Sequence, residues 1–190
     1  MKVGSKMNWK EAIEKYQPCN DQEKKDKEII INCFERFDDI LTRNNEIIHL
    51  TSSAFLINKN MDKTLMVHHN IYNSWSWTGG HADGEEDLLQ VAIKEAKEET
   101  GINNIRVLCT DIISIDIIPV LGHIKRTKYV SPHLHISVAY LIEADENDPL
   151  MVKLDENSAV QWIPLEEINE YSKEPHMKKI YNKIICKIPL

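Results

Sequence analysis

No run of about 18 apolar residues, the length a membrane-crossing helix needs, occurs anywhere in this chain. The opening MKVGSKMNWKEAIEKYQ also lacks the apolar core of a secretory signal. The four cysteines, Cys19, Cys33, Cys109 and Cys186, fall at no paired spacing, so neither a cysteine zinc site nor a disulfide framework is expected. A reducing, cytoplasmic setting is the corresponding expectation. Internal repeats and low-complexity tracts are absent. Basic charge is scarce: the net charge of -7 argues against a nucleic-acid polymer or an anionic membrane as partner, because phosphate surfaces demand lysine and arginine patches. What remains, 190 residues that are 42% hydrophobic and 28% charged, suits one globular core with an appended helical segment.

The most informative stretch runs from Gly80 to Ile102, GHADGEEDLLQVAIKEAKEETGI. Asp87 can cap a helix, and Leu88, Leu89, Ala92, Ile93 and Ala96 form an apolar stripe at three- and four-residue spacing. Gly101 then supplies the left-handed residue that ends it. At about 100° per residue, Glu95 and Glu99 fall on either side of Leu88, with Glu98 just beyond Glu95. As bare carboxylates four apart, Glu95 and Glu99 repel by roughly a few tenths of a kcal/mol when exposed, and by more when partly buried. A bound cation reverses that sign, since hard divalent ions take oxygen ligands and share them with water and substrate phosphates. Composition alone favours a plainer reading, a solvated helix in which Lys94 and Lys97 balance the acids. The spacing decides against it.

That spacing resembles the Nudix box. Gly80, Glu86, Glu95, Glu98, Glu99, Gly101 and Ile102 occupy its fixed places. Lys94 stands where the family has arginine, keeping the charge but losing the planar fork, and Ala96 stands where a larger aliphatic is usual. The resemblance implies that Glu95, Glu98 and Glu99 bind Mg²⁺ or Mn²⁺ and act in catalysis, with the backbone carbonyl of Gly80 joining them. It also implies that Glu86 and Lys94 brace the loop and helix. A further acid usually comes from a loop before the last strand, and Glu156, six before Trp162, is the candidate. The reaction implied is attack of water on phosphorus in a nucleoside diphosphate linked to another group, a small-molecule substrate that these residues do not select. Many relatives are dimers, and nothing in this chain fixes an interface.

Outside the box, HLTSSA, the GGH of WSWTGGH, and HLH look like a bacterial Nudix subgroup. His133 and His135 sit two apart at the start of a strand, so they face one side and could reach a substrate phosphate or move protons. The alternative is a solvent-facing alternation. His81 and Asp116 are weaker candidates of the same kind. Trp77 could stack on a nucleobase or pack in the core.

Along the chain, residues 8–17 and roughly 21–43 read as helices, 49–60 and 63–69 as paired strands, and WSWTGG as the lead into the box. Residues 105–118 read as one or two strands, 119–132 as a loop, HLHISVAYLIEA as a strand, 160–163 as a short strand, LEEI as a turn or short helix, and 173–187 as a closing helix. The expected fold is α/β (α+β): a mixed sheet sandwiched between helices, with residues 1–45 an N-terminal helical extension packed on the core and 46–190 the Nudix domain. Two rivals from other classes fit less well. An isopentenyl diphosphate isomerase, which shares the fold, uses a cysteine just before the box, where this chain has Asn73, Ser74 and Trp75. A non-catalytic nucleotide-sensing domain would have eroded box acids, and all of them are present here.

Overall fold

The computed structural model describes residues 8–125 and 127–188. The outermost parts of the two expected segments, and Arg126 within the expected 119–132 loop, lie outside the described residues. Two helices come first, α1 (Trp9–Lys15) and α2 (Asp21–Phe34). Then follow β1 (Ile48–Ile57), β2 (Lys63–His69), β3 (Ser74–Ser76), β4 (Thr78–His81) and α3 (Leu88–Thr100). After α3 come β5 (Ile105–Val107), β6 (Ser114–Val120), β7 (His123–Lys125), β8 (Lys128–Val130), β9 (His133–Ala144) and β10 (Asn157–Pro164). A short 3-10 turn leads into α4 (Ile168–Tyr171), and α5 (Pro175–Ile185) closes the described chain.

Among the described residues, eight strands form one mixed sheet whose main path runs β10-β2-β1-β9-β5, and β7 with β8 makes a separate hairpin. At its centre β1 and β9 run parallel in a ten-residue register, from Ile48 opposite Leu134 to Ile57 opposite Glu143. Each of these strands divides its outer edge between two antiparallel neighbours: β4 then β2 along β1, and β6 then β5 along β9. The even-numbered residues Leu50, Leu56, Ile136, Val138 and Ile142 face Leu88, Ala92 and Ala96 of α3 together with Trp9, Ile13 and Ile30 of the first two helices. The odd-numbered Phe55, Ile57 and Leu141 face Met177, Tyr181 and Ile184 of α5. Removing each such large side chain from water contributes about 2 kcal/mol, so both helical layers are held by the two sides of the same strands.

The helix ends have local causes. Asp87 accepts from the Gln90 N–H at 3.3 Å, and Gly101, at φ 79°, closes α3 with its N–H on the Lys97 carbonyl. The second helix stops at Phe34, nine residues short of the expected end, although the apolar spacing continues through Phe37, Ile40 and Leu41. The Ile40 carbonyl is taken by the Leu50 N–H of β1 at 2.8 Å, and Asp39 and Thr42 bond locally, so a continuing helix loses its backbone partners to the sheet and to side chains. The segment 119–132, expected as a plain loop, holds the β7–β8 hairpin, turned through Thr127 at φ 71°.

The first two helices are tied to the last one by buried charge. Glu23 is fully buried and lies 3.0 Å from Lys183 and 2.9 Å from Lys187, while the Cys19 N–H donates to it at 2.8 Å. Lys183 also meets Asp116, the carboxylate of β6, at 2.5 Å. Burial alone raises the Glu23 pKa, but the Cys19 N–H and the two lysines outweigh it and hold the group down at about 2. Because that value is depressed, the carboxylate contributes stability that is complete above the ordinary range near 4.5 and disappears as pH falls toward 2. Replacing Glu23 with alanine leaves Lys187 with the neutral acceptors Tyr16 and Ile113 and Lys183 with Asp116 as its remaining carboxylate, and we expect a loss of about 3 kcal/mol in urea unfolding at pH 7. The difference from wild type should shrink as the pH is lowered from 5 to 2; a constant difference would show that the charge is not what holds α2 in place.

Candidate active site

The polar end of the odd-numbered sheet face, where α5 no longer covers it, opens as a cleft of about 580 Å³. It brings together Gly80 and His81 of β4, Glu95 and Glu99 of α3, Glu156 of the loop before β10, and His133 and His135 of β9. Trp77 lines it as well, its ring against Tyr181 at 5.6 Å and its backbone N–H on the Tyr181 hydroxyl at 3.3 Å. Glu86, Lys94 and Glu98 do not line it. Glu86 is exposed, and Lys94 faces Glu98 at 3.8 Å on the outer side of α3, a weak solvent-exposed pair that Glu98 can leave at little cost. Asp116 lies elsewhere, in the charged contact between α2 and α5.

The double glycine is what allows α3 to approach. A Cβ on Gly80 would stand 2.3 Å from Glu95 Cδ and 2.6 Å from its Oε1, and one on Gly79 would stand 2.4 Å from the Ser53 hydroxyl. With no side chains there, the Gly79 N–H donates to Glu99 Oε2 at 3.1 Å. Burial, reinforced by Glu95 and Glu156 and opposed by the Gly79 N–H and by Asn157, pushes the Glu99 carboxyl up to about 8. Burial and the neighbouring Glu98 also raise Glu95. At Glu156 burial acts in the same direction but loses to Lys153 at 2.8 Å and Lys125 at 3.6 Å, which hold it below the usual carboxylate range. Glu95, Glu99 and Glu156 thus lie near enough to raise one another's or a neighbour's pKa, and their donors are all hard oxygens. This donor set fits Mg²⁺ or Mn²⁺, which would bind across Glu95, Glu99 and Glu156.

Sequence reasoning missed several groups that share the cleft. His49 of β1 is 4% exposed and packs beside His81, His133 and His135 with ring centroids 4.8 to 5.0 Å away. The register explains the meeting: His49 lies opposite His135, and His81 lies opposite Thr51, one step along the same face. Burial holds His135 down to about 2 and His81 to about 3, and lowers His49, so these three rings are neutral at pH 7. The signal was the polar series His49, Thr51, Ser53 at every second place of a strand whose other residues, Ser52 apart, are apolar. Arg43, ion-paired with Asp83 through Nε at 2.8 Å, and the cations Lys125 and Lys153 were missed for a different reason: Arg43 and Lys153 come from irregular segments and Lys125 from a three-residue strand, none with a periodic signal.

The chain belongs to the NUDIX family, whose domain model matches residues 48–184. It is 31% identical over 104 residues to an RNA pyrophosphohydrolase of Pelagibacter ubique, covering 53% of this chain and 66% of that protein. It is 29% identical over 111 residues to a probable DHNTP pyrophosphohydrolase of Lactococcus lactis, covering 58% of this chain and 63% of that protein. The matches therefore span slightly less than two thirds of these relatives. The fold is shared with a NUDIX-family hydrolase from Clostridium perfringens, at a TM-score of 0.56 and 19% identity over 74% of this chain and 98% of the other.

The Gly80 contact yields a sharp expectation. Gly80→Ala should displace the Glu95 carboxylate and weaken Mn²⁺ binding at least tenfold in isothermal titration, with the melting temperature within a few degrees of wild type. Unchanged Mn²⁺ affinity would mean that Glu95 does not depend on the close approach of β4.

Proposed function

We propose that the chain is a metal-dependent pyrophosphohydrolase that cleaves the diphosphate linkage of a nucleoside diphosphate joined to another group, by attack of water at phosphorus. The observation that carries this reading is the convergence of Glu95, Glu99 and Glu156 against the Gly79–Gly80 backbone, in a cleft that also presents Lys125 and Lys153. The pyrophosphohydrolase names of the two relatives point the same way. Cleft volume fits a nucleotide-sized ligand. No cysteine lines it among the described residues, which leaves an isomerase of the cysteine type without its reactive group.

In this reading Glu95, Glu98, Glu99 and Glu156, with the Gly80 carbonyl, hold Mg²⁺ or Mn²⁺, and Glu86 and Lys94 support the loop and helix around them. When bound, the ion offsets phosphate charge and makes a water more acidic. Lys125 and Lys153, beside Glu156, neutralise the substrate's remaining phosphate charge. Glu98, once it leaves Lys94, takes the proton of the attacking water, while Glu99 is buried and anchored by the Gly79 N–H. Trp77, fixed from behind by Tyr181, offers a ring to a nucleobase.

The test is a phosphate-release screen over nucleoside triphosphates, nucleotide sugars, ADP-ribose, dinucleoside polyphosphates and NADH, with Mg²⁺ and Mn²⁺ compared. Glu99→Gln and Glu98→Gln should each lower kcat by two orders of magnitude or more while circular dichroism stays unchanged. Absence of cleavage across the panel in metal-loaded wild type would overturn the reading. The raised Glu99 pKa adds a pH dependence: the ion must displace a proton there, so Mn²⁺ affinity should rise from pH 6 to pH 8 by as much as about tenfold per unit and then level off. A flat profile would show that Glu99 is not a ligand.

A further inference from the structure

Beside the glutamates, the same cleft holds a second group of donors of different chemistry. One nitrogen each of His49, His81 and His135 lies within 4.8 Å of the others. His49 Nδ1 is 2.8 Å from the Asn45 carbonyl, which can only accept, so Nδ1 carries the proton and the neutral ring has its lone pair on Nε2. That Nε2 is buried and has no hydrogen-bond partner among the described residues. A buried acceptor left bare is costly, and the ring that carries it has two more imidazoles as neighbours, at centroid distances of 5.0 Å to His81 and 4.9 Å to His135. We propose that His49, His81 and His135 form a binding site for a first-row transition-metal ion of the Zn²⁺ class, separate from the glutamate site and linked to it by the Gly80–His81 peptide.

Several independent features fit this occupant. A ring that gives its second N–H to a backbone carbonyl is the usual arrangement of a metal-bound histidine, because that bond fixes both tautomer and orientation. His133 repeats the pattern, with Nδ1 on the Ser131 carbonyl at 2.8 Å and Nε2 at 3.1 Å from His135 Nε2. Two nitrogens bound tetrahedrally to one zinc at about 2.05 Å lie about 3.3 Å apart, so the nitrogens of His49, His81 and His135, all within 4.8 Å of one another, close on one ion by small side-chain rotations, while the 3.1 Å contact between His133 and His135 is a hydrogen bond that braces His135. Imidazole nitrogen selects zinc, cobalt, nickel or iron over magnesium, whereas the carboxylates across the peptide select the reverse. The positive charge of Arg43 nearby is already matched by Asp83. The rings are held by strands rather than loops, at His49 and His135 by the ten-residue register of β1 with β9. The site stands whether or not the pyrophosphohydrolase reading holds.

The experiment uses untagged full-length protein freed of metal by a chelator and titrated with Co²⁺ alone. One equivalent should produce the intense visible absorption of four-coordinate, nitrogen-ligated cobalt, which Zn²⁺ then abolishes. His81→Asn and His135→Asn, both at partly exposed positions, should each weaken Co²⁺ binding at least tenfold and remove that absorption, with circular dichroism confirming the fold. Glu99→Gln should leave it in place. Only the faint absorption of six-coordinate cobalt in wild type, survival of the intense absorption in both histidine variants, or its loss in Glu99→Gln would overturn the proposal. Since the readout is spectral, a negative hydrolysis screen leaves it unaffected.

Discussion

The parallel pairing of β1 with β9 is the constraint from which the rest of the molecule follows. Side chains alternate strictly along a strand, so a slip of one residue would carry Leu50 and Ile136 into the cleft and His49 and His135 into the apolar layer under α3. The slip is prevented from both sides, by α3 on the even-numbered face and by α5 on the odd-numbered one. The odd-numbered face is itself divided along its length. Phe55 and Ile57 lie under α5, while His49, Thr51 and Ser53 are left for the cleft. One pair of strands thus supplies a core and a reactive surface without any change of backbone direction.

Two buried glutamates show how placement decides what the same side chain is for. Glu23 has two lysines and a backbone N–H and is driven far toward its ionised form. Glu99, 5% exposed, has one backbone N–H and two acidic neighbours, and is driven toward its neutral form. The first is complete within the chain and serves as an anchor. The second has no ion pair with a lysine or arginine among the described residues, and its charge is left largely uncompensated. Both follow from a single rule, that a carboxylate removed from water must find compensation.

Elements with strong local signals were legible in the sequence. Asp87 and Gly101 bracket α3 as their chemistry requires, and the alternation from His133 to Ala144 coincides with β9. The family, through the spacing of its acids, was legible too. Phe37, Ile40 and Leu41 misled because apolar spacing records burial and not backbone form; they are buried or half-buried in turns. The β7–β8 hairpin escaped because its strands are three residues long and its turn places Thr127, not glycine, at positive φ. His49 escaped because a histidine gains meaning only from neighbours far away in sequence: its partners are 32, 84 and 86 positions on, at His81, His133 and His135. The same distance hid the pairing of Glu23 with Lys183 and Lys187.

That last pairing has a consequence for the order of events when the chain is made. Synthesis delivers α1 and α2 first, yet the cations that neutralise Glu23 are on and just after α5, some 160 residues later. Until they arrive, docking α2 against β6 would bury an uncompensated carboxylate. The closure of α2 over the flank of the sheet and the seating of α5 are therefore coupled, each completing the charge that the other buries.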